Sequence, residues 1–363
     1  MYLEEIHTKN FRNLTETTLA LSKGINIFYG QNAQGKTNLI ESIYFCATGR
    51  SYRTYNYKEM IHFDKREAYV KAKIKDEHLK DRIEITIGKD KKNILINGVS
   101  VKKLGELFGT FLVVIFSPED LELVKAGPTI RRKLLDLNLC QLSKIYYYEL
   151  GRYYHVLKQR NNLLKNVKKD KSLSETIFIW DEQLISHGQK IFEFRASYIE
   201  ELNKIASDIH KNLTGNKEKL EISYRPNVTL EEFEDKLTKS LERDIYLGST
   251  SVGIHKDDIG ISINGVDTKN YGSQGQQRTA SLSIKLSSID YIYEKKKTYP
   301  ILLLDDVLSE LDKSRQKFLL SQIQNIQTLI TCTGVEDVIS NLALSQDLEM
   351  QLYEVREGFI TKE

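Results

Sequence analysis

Residues Gly30-Gln31-Asn32-Ala33-Gln34-Gly35-Lys36-Thr37 fit the pattern G-x-x-x-x-G-K-[ST] of a phosphate-binding P-loop. The motif restricts the fold, because it works only between a strand and a helix. Ile25–Phe28 reads as a short buried strand and Asn38–Phe45 as the start of a helix. Gly30 and Gly35 let the backbone turn so that the amides of Gln31, Asn32, Ala33 and Gln34 converge on an anion. The helix that opens at Asn38 adds its positive end. Lys36 is placed to reach the β- and γ-phosphates of ATP, and the Thr37 hydroxyl to ligate Mg²⁺.

The chain has 363 residues, 40% hydrophobic and 28% charged, with only four prolines, which allows two or three ordinary globular domains. A net charge of +3 neither demands nor excludes a nucleic-acid partner. Cys46, Cys140 and Cys332 are far apart, which suits a reducing compartment and gives no zinc motif. Met1–Glu5 lacks the basic start of a signal peptide, and no apolar run approaches the length of a membrane span. A soluble cytoplasmic protein is the expectation.

Residues 1–30 read as strands, interrupted at Asn10-Phe11-Arg12-Asn13 by a polar turn that either folds over a nucleotide or simply closes a hairpin. The loop Thr48–Thr54 carries Arg50, Tyr52 and Arg53, a set suited to phosphate contact and base stacking but equally to a solvated surface. Residues 69–75, 83–88 and 93–99 read as strands, with Lys89, Lys91 and Lys92 at a solvated tip; 111–116 reads as a buried strand. Ser117-Pro118 looks like a helix start, and from there to about 245 the pattern is helical. Apolar positions from Leu184 to Leu213 mark one face of a long helix, preceded by a helix over 143–165. Between them lie Lys165, Lys168, Lys169 and Lys171, giving a helical hairpin with a basic tip. Strands return over 250–270, followed by a helix over 276–295, an apolar strand at 301–304, a helix over 313–325 and closing strands. Neither end has enough strands alone, so the fold class is α/β: one P-loop head from 1–117 and 246–363, with a mainly helical inserted lobe at 118–245.

A P-loop needs a carboxylate on a neighbouring strand for Mg²⁺. Asp305 closes the run Ile301–Leu304 and is the candidate; Asp306 follows and can orient or deprotonate the attacking water. Ser273-Gln274-Gly275-Gln276 opens a helix about thirty residues earlier, a second anion cradle. This stretch resembles the Ser-Gly-Gly-Gln signature of ABC-type ATPases, with Gln274 in place of the first glycine, and Leu308–Asp312 resembles their D-loop. In that superfamily the signature of one subunit caps the nucleotide on the P-loop of another. The resemblance therefore implies an ATP-dependent homodimer with two composite sites, in which Ser273, Gln274, Gly275 and Gln276 complete the nucleotide pocket.

The insertion between the two motif halves leaves room for a hairpin of only about 50 Å, too short for a long coiled coil. Gly49–Thr54, Ser117–Leu121, Gly127–Asp136 and His255–Asp258 add to the likeness. Together these stretches resemble the RecF family, the recombination-mediator branch of the SMC-like ATPases. That resemblance implies binding to double-stranded DNA near single-strand gaps and loading of RecA with RecR and RecO, in recombinational repair and replication-fork maintenance. It gives Arg12 and Asn13 an adenine-side or phosphate role, and makes Arg50, Arg53, Lys168 and Lys169 candidates for DNA. Ile254 and Lys256 depart from the family's usual proline and arginine. Asp306 stands for a glutamate, and Thr333 for the switch histidine of ABC transporters, so the expected hydrolysis is slow. A P-loop kinase or phosphotransferase is the competing reading, and it has no use for Ser273–Gln277. A nucleotide-binding scaffold without hydrolysis is a third.

Overall fold

The computed structural model describes residues 1–76, 80–342 and 349–363. Contacts divide the chain into two compact units, residues 1–121 with 288–363, and residues 122–287.

The first unit holds two six-stranded sheets. One is antiparallel and consists of β1 (Tyr2–Phe11), β2 (Leu14–Ala20), β4 (Glu67–Lys75), β5 (Lys80–Gly88), β6 (Lys92–Ile96) and β7 (Val99–Ser100) in the order β2-β1-β4-β5-β6-β7. Alternate residues of β4 and β5 are buried, as expected of strands with one covered face. The other sheet is mixed, in the order β15-β14-β3-β13-β12-β8. Its members are β3 (Ile25–Tyr29), β8 (Val113–Phe116), β12 (Ile301–Asp305), β13 (Thr328–Cys332), β14 (Met350–Arg356) and β15 (Phe359–Lys362). The strands from β14 to β8 run parallel, and β15 pairs antiparallel at the edge. β8, β12 and β13 are buried at every residue, which explains the apolar runs Val113–Phe116 and Ile301–Leu304. Strands from both chain ends thus share one sheet. Gln327 fastens the two sheets: its side chain accepts from the Leu3 amide at 2.6 Å and donates to the carbonyls of Leu3 and Ser22. The helices here are α1 (Lys36–Thr48), α8 (Lys313–Gln322) and α9 (Glu336–Leu342).

The second unit is mainly helical: α2 (Pro128–Leu142), α3 (Lys144–Val167), α4 (Ile177–Leu213), α5 (Phe233–Leu247) and the short α6 (Thr268–Tyr271). α7 (Gln274–Lys296) begins in this unit and crosses its boundary at 287/288. α3 and α4 pack side by side, joined by residues 168–176, and Gly188 is needed where Phe233 Cε1 would lie 2.6 Å from an added Cβ.

Several expectations change. Residues 246–287 group with the helical unit rather than with the P-loop head. The physical reason is a strand inside the stretch read as helical. β9 (Leu220–Arg225) pairs with β10 (Asp258–Ile263), which pairs with β11 (Val266–Asp267), and this small sheet keeps 250–270 beside α4. Ser117-Pro118 opens only a 3₁₀ turn, because Asp120 accepts from the amide and hydroxyl of Ser117. The helix read as 313–325 ends at Gln322. Lys92 leaves the solvated tip and donates to the Gly49 carbonyl at 2.5 Å, over the ring of Phe45.

Candidate functional site

β3 delivers the chain to Gly30, whose φ of 149° few other residues adopt; an added Cβ would meet the Val355 carbonyl oxygen at 2.3 Å. Gly35, at φ 119°, caps α1, and Asn13 crowds it from the other side. The loop is held between two turns. Asn13, in the β1–β2 turn, accepts from Asn38 Nδ2 at 2.7 Å. On the C-terminal hairpin, the Gly358 amide donates to the Gln34 carbonyl at 2.9 Å and the Glu357 amide to the Gln34 side chain. Lys36 is buried, and its ammonium donates to the carbonyls of Gly30 and Gln31 at 2.5 and 2.8 Å. Burial lowers its pKa, and the carboxylate of Asp306 opposes that shift.

Asp305 ends β12 with a buried carboxylate. Thr37 donates to its Oδ1 at 2.9 Å, Thr331 to the same oxygen at 3.1 Å, and Tyr52 to Oδ2 at 2.7 Å. Asp306 adopts φ 53° and its amide donates to Thr331 at 2.9 Å, turning it towards the cleft above the loop. Burial raises its pKa, with Lys36 acting against the rise, and a raised carboxylate is the better proton acceptor. Thr37 and Asp305 are two hard oxygen donors on adjacent elements, the set Mg²⁺ takes when phosphates and water supply the rest. Among the described residues no three His, Cys, Asp or Glu side chains converge as a self-sufficient metal cage.

The cleft over the P-loop has a volume of about 520 Å³. Arg12 and Asn13 close a hairpin turn, and both line this cleft. Glu41, one turn beyond Thr37 on α1, is fully buried and was not singled out by sequence. It accepts from Arg12 at 2.8 and 3.0 Å, from Arg53 at 3.1 Å, and from the hydroxyl of Ser51. Arg53 also donates to Asn38 Oδ1 at 2.8 Å. Its guanidinium is committed to the cleft wall. Tyr52 does not stack outward as read: its ring meets Tyr44 edge-on, and its hydroxyl serves Asp305.

In the second unit Ser273 precedes α7 as a reciprocal capping box. Its hydroxyl accepts from the Gln276 amide at 3.2 Å, while Gln276 Oε1 accepts from the Ser273 amide at 2.9 Å. Ser273 and Gln274 are exposed, with Gly275 and Gln276 half-buried behind them. Gln276 also donates to Glu218 at 2.9 Å, which holds the helix start in place.

Residues 2–354 match the family described as RecF/RecN/SMC N terminal domain. The DNA replication and repair protein RecF of Lachnoclostridium phytofermentans is 45% identical over 363 residues, covering 100% of each chain. A solved structure of the recombination mediator protein RecF–ATPrS in the RecFOR pathway superposes with a TM-score of 0.91 at 38% identity, covering 99% of this chain and 98% of that one. The chain belongs to the RecF family. A Pyrococcus furiosus Smc head domain, 15% identical at a TM-score of 0.57 and covering 100% of this chain and 96% of that one, shares the fold. The fold of this RecF-family chain is thus the SMC-like ABC-type ATPase head.

Two of the RecF-like stretches meet in the second unit. Arg131 makes a two-pronged pair with Asp258 at 2.7 and 2.9 Å, and Arg132 donates to the Asp257 carbonyl at 2.6 Å. Buried Arg195 bridges Asp136 and Asp257 at 2.8 and 2.9 Å. These motifs are ties between α2, α4 and the β9–β10 sheet. The DNA candidates Arg50, Arg53, Lys168 and Lys169 are all exposed, and Lys168 lies over the Tyr246 ring. Thr333 is also exposed. No helix among the described residues is long and apolar enough to cross a membrane.

Proposed function

We propose that this chain is an ATP-switched, DNA-binding repair protein. It holds ATP with Mg²⁺ on residues 30–38, pairs with a second copy, and engages double-stranded DNA near single-strand gaps. With RecR and RecO it helps load RecA. The observation that carries this reading is the 2.9 Å contact between the P-loop hydroxyl of Thr37 and Asp305, the carboxylate that closes the apolar strand. It supports the reading because it brings the start of α1 and the end of β12 together at the two oxygens that would hold the cation.

In this reading the loop amides and Lys36 hold the phosphates, and Thr37 and Asp305 hold the cation. Bound Mg²⁺–ATP supplies the γ-phosphate that links two subunits and whose loss releases them. Tyr52 and Thr331 keep the Asp305 carboxylate in one orientation. Asp306 positions the attacking water and accepts its proton. A carboxylate one methylene shorter than glutamate makes turnover slow, with DNA as its stimulus. The capped, exposed start of α7, with Ser273, Gln274, Gly275 and Gln276, reaches the nucleotide of the partner copy. A phosphotransferase has no use for such a surface.

Sedimentation velocity with Mg²⁺ and AMP-PNP tests the reading. The mass doubles for the native chain but not for Lys36→Ala, while Ser273→Arg binds AMP-PNP and stays single. A native chain that remains single when saturated with AMP-PNP at micromolar concentration would refute it.

A further inference from the structure

The cap at the start of α7 is the outer end of a row of bonds that runs inward to a buried histidine. Gln276 Oε1 accepts from the Ser273 amide, and Gln276 Nε2 donates to Glu218 Oε1, each at 2.9 Å. Glu218 Oε2 lies 3.1 Å from Nε2 of His210, which is fully buried near the end of α4. His210 Nδ1 lies 3.1 Å from the hydroxyl of Ser283, buried further along α7. The row starts and ends on α7 and passes through α4 and the turn that follows it.

That turn fixes Glu218 in place. Thr214 donates through its amide and its hydroxyl to the His210 carbonyl, at 2.9 and 2.8 Å. Gly215 and Asn216 take φ of 60° and 61°, and the Asn216 amide donates to the Lys211 carbonyl at 2.8 Å. Directly after Glu218, the Lys219 amide donates to Asn264 Oδ1 at 2.8 Å and the Lys219 carbonyl accepts from the Asn264 amide at 2.9 Å.

A carboxylate can only accept, so Glu218 takes the NH₂ end of the Gln276 side chain. The carbonyl end is then left for the Ser273 amide. Turned over, Gln276 would set its NH₂ against the Ser273 N–H and its oxygen against the carboxylate. Facing the same carboxylate, His210 carries a proton on Nε2. Among the described residues, the Ser273 hydroxyl accepts from the Gln276 amide at 3.2 Å and has no acceptor of its own. Its proton is therefore free for an incoming anion. Glu218 acts on Ser273 through Gln276.

We propose that Glu218, backed by His210, is a positioning residue for the contact between two copies: it orients the Gln276 amide so that Ser273 offers its hydroxyl proton to the nucleotide on the partner copy. This rests on the dimer reading above.

One measurement without nucleotide and one with it test the role. In the nucleotide-free chain, the Ser273 amide exchanges hydrogen several-fold faster in Glu218→Ala than in the native chain, read by NMR. In sedimentation velocity with Mg²⁺ and AMP-PNP, Glu218→Ala raises the dimer dissociation constant about ten- to hundredfold. Filter binding at dilutions where the chain is single gives it native affinity for AMP-PNP, because the P-loop belongs to the other compact unit. Glu218→Gln restores both readouts. Its amide oxygen accepts from Gln276, and its NH₂ meets the other tautomer of His210, whose Nδ1–H donates to Ser283 while Ser283 donates to the Thr279 carbonyl. Gln276→Met leaves the His210–Glu218 pair whole and shows both losses, which separates the role from misfolding of Glu218→Ala. Native-like exchange and dimerisation in Glu218→Ala or Gln276→Met overturn the role, as does equal weakening in Glu218→Ala and Glu218→Gln. A native chain that stays single with AMP-PNP brings down the dimer reading first, and this role with it.

Discussion

Glu41 shows how much one buried carboxylate organises. It carries no exposed surface, yet it holds Arg12, Arg53 and Ser51 in one wall of the cleft. Glu41→Ala leaves two guanidinium groups without their anion. Arg12 and Arg53 keep 19% and 42% of their side-chain surface in water, so the cost falls below that of a sealed pair, at about 2 kcal/mol. Differential scanning calorimetry should show a melting temperature lower by roughly 2–5 °C, and AMP-PNP should bind more weakly as both arginines loosen. His255 offers a second test. It donates from Nε2 to the Thr250 carbonyl at 3.1 Å and accepts from the Tyr153 hydroxyl at 2.9 Å, a neutral arrangement. Burial pushes its pKa down to about 4 from an ordinary 6.5. The unfolded chain therefore takes up this proton below pH 6.5 while the folded chain refuses it until about pH 4. The stability involved is fully present above pH 6.5 and is lost as pH falls towards 4, roughly 3 kcal/mol in all. His255→Gln should flatten the dependence of the urea midpoint on pH across that window.

Among the elements, the C-terminal hairpin matters more than its edge position implies. Its turn bonds Gln34 through both backbone and side chain, and Gly358 sits at φ 80° with the Asn13 carbonyl 2.2 Å from where a Cβ would be. That neighbour is backbone and cannot swing aside. Gly358→Val should cost about 1–3 kcal/mol from strain. It should also push the P-loop off its mark, weakening AMP-PNP at temperatures where circular dichroism still shows a folded chain. Unchanged affinity would reduce the hairpin to an edge cover. The α3–α4 hairpin has the opposite character: its end carries Lys165, Lys168, Lys169 and Lys171 outside the packed α3–α4 seam.

For the whole molecule, a net charge of +3 is too small to hold a duplex by itself, so placement of the cations decides. The double variant Lys168→Glu, Lys169→Glu should weaken duplex affinity at fixed salt. It should also reduce the log–log salt slope by about 1 for each phosphate that is no longer neutralised. A duplex affinity and slope equal to those of the native chain would clear these lysines of the role and turn attention to Arg50.

What the residue order determined unaided is whatever lies within a few positions along the chain. The P-loop between strand and helix, the carboxylate closing Ile301–Leu304, and the Ser273–Gln276 cap are all local patterns, and each occupies the element its neighbours demanded. The turn at Asn264-Gly265, both at positive φ, is local in the same way, since an Asn-Gly pair between strands favours it by itself. What only the tertiary structure decided is which distant groups meet. Tyr52 reaches Asp305 across 253 positions and the Glu357 amide reaches Gln34 across 323, and neither leaves a periodic trace in the chain. β9 was hidden because six residues among long helices take their conformation from pairing with β10 rather than from their own propensity. Contacts between remote segments are chosen by packing and by the need to satisfy buried charge, and those conditions exist only once the chain has closed on itself.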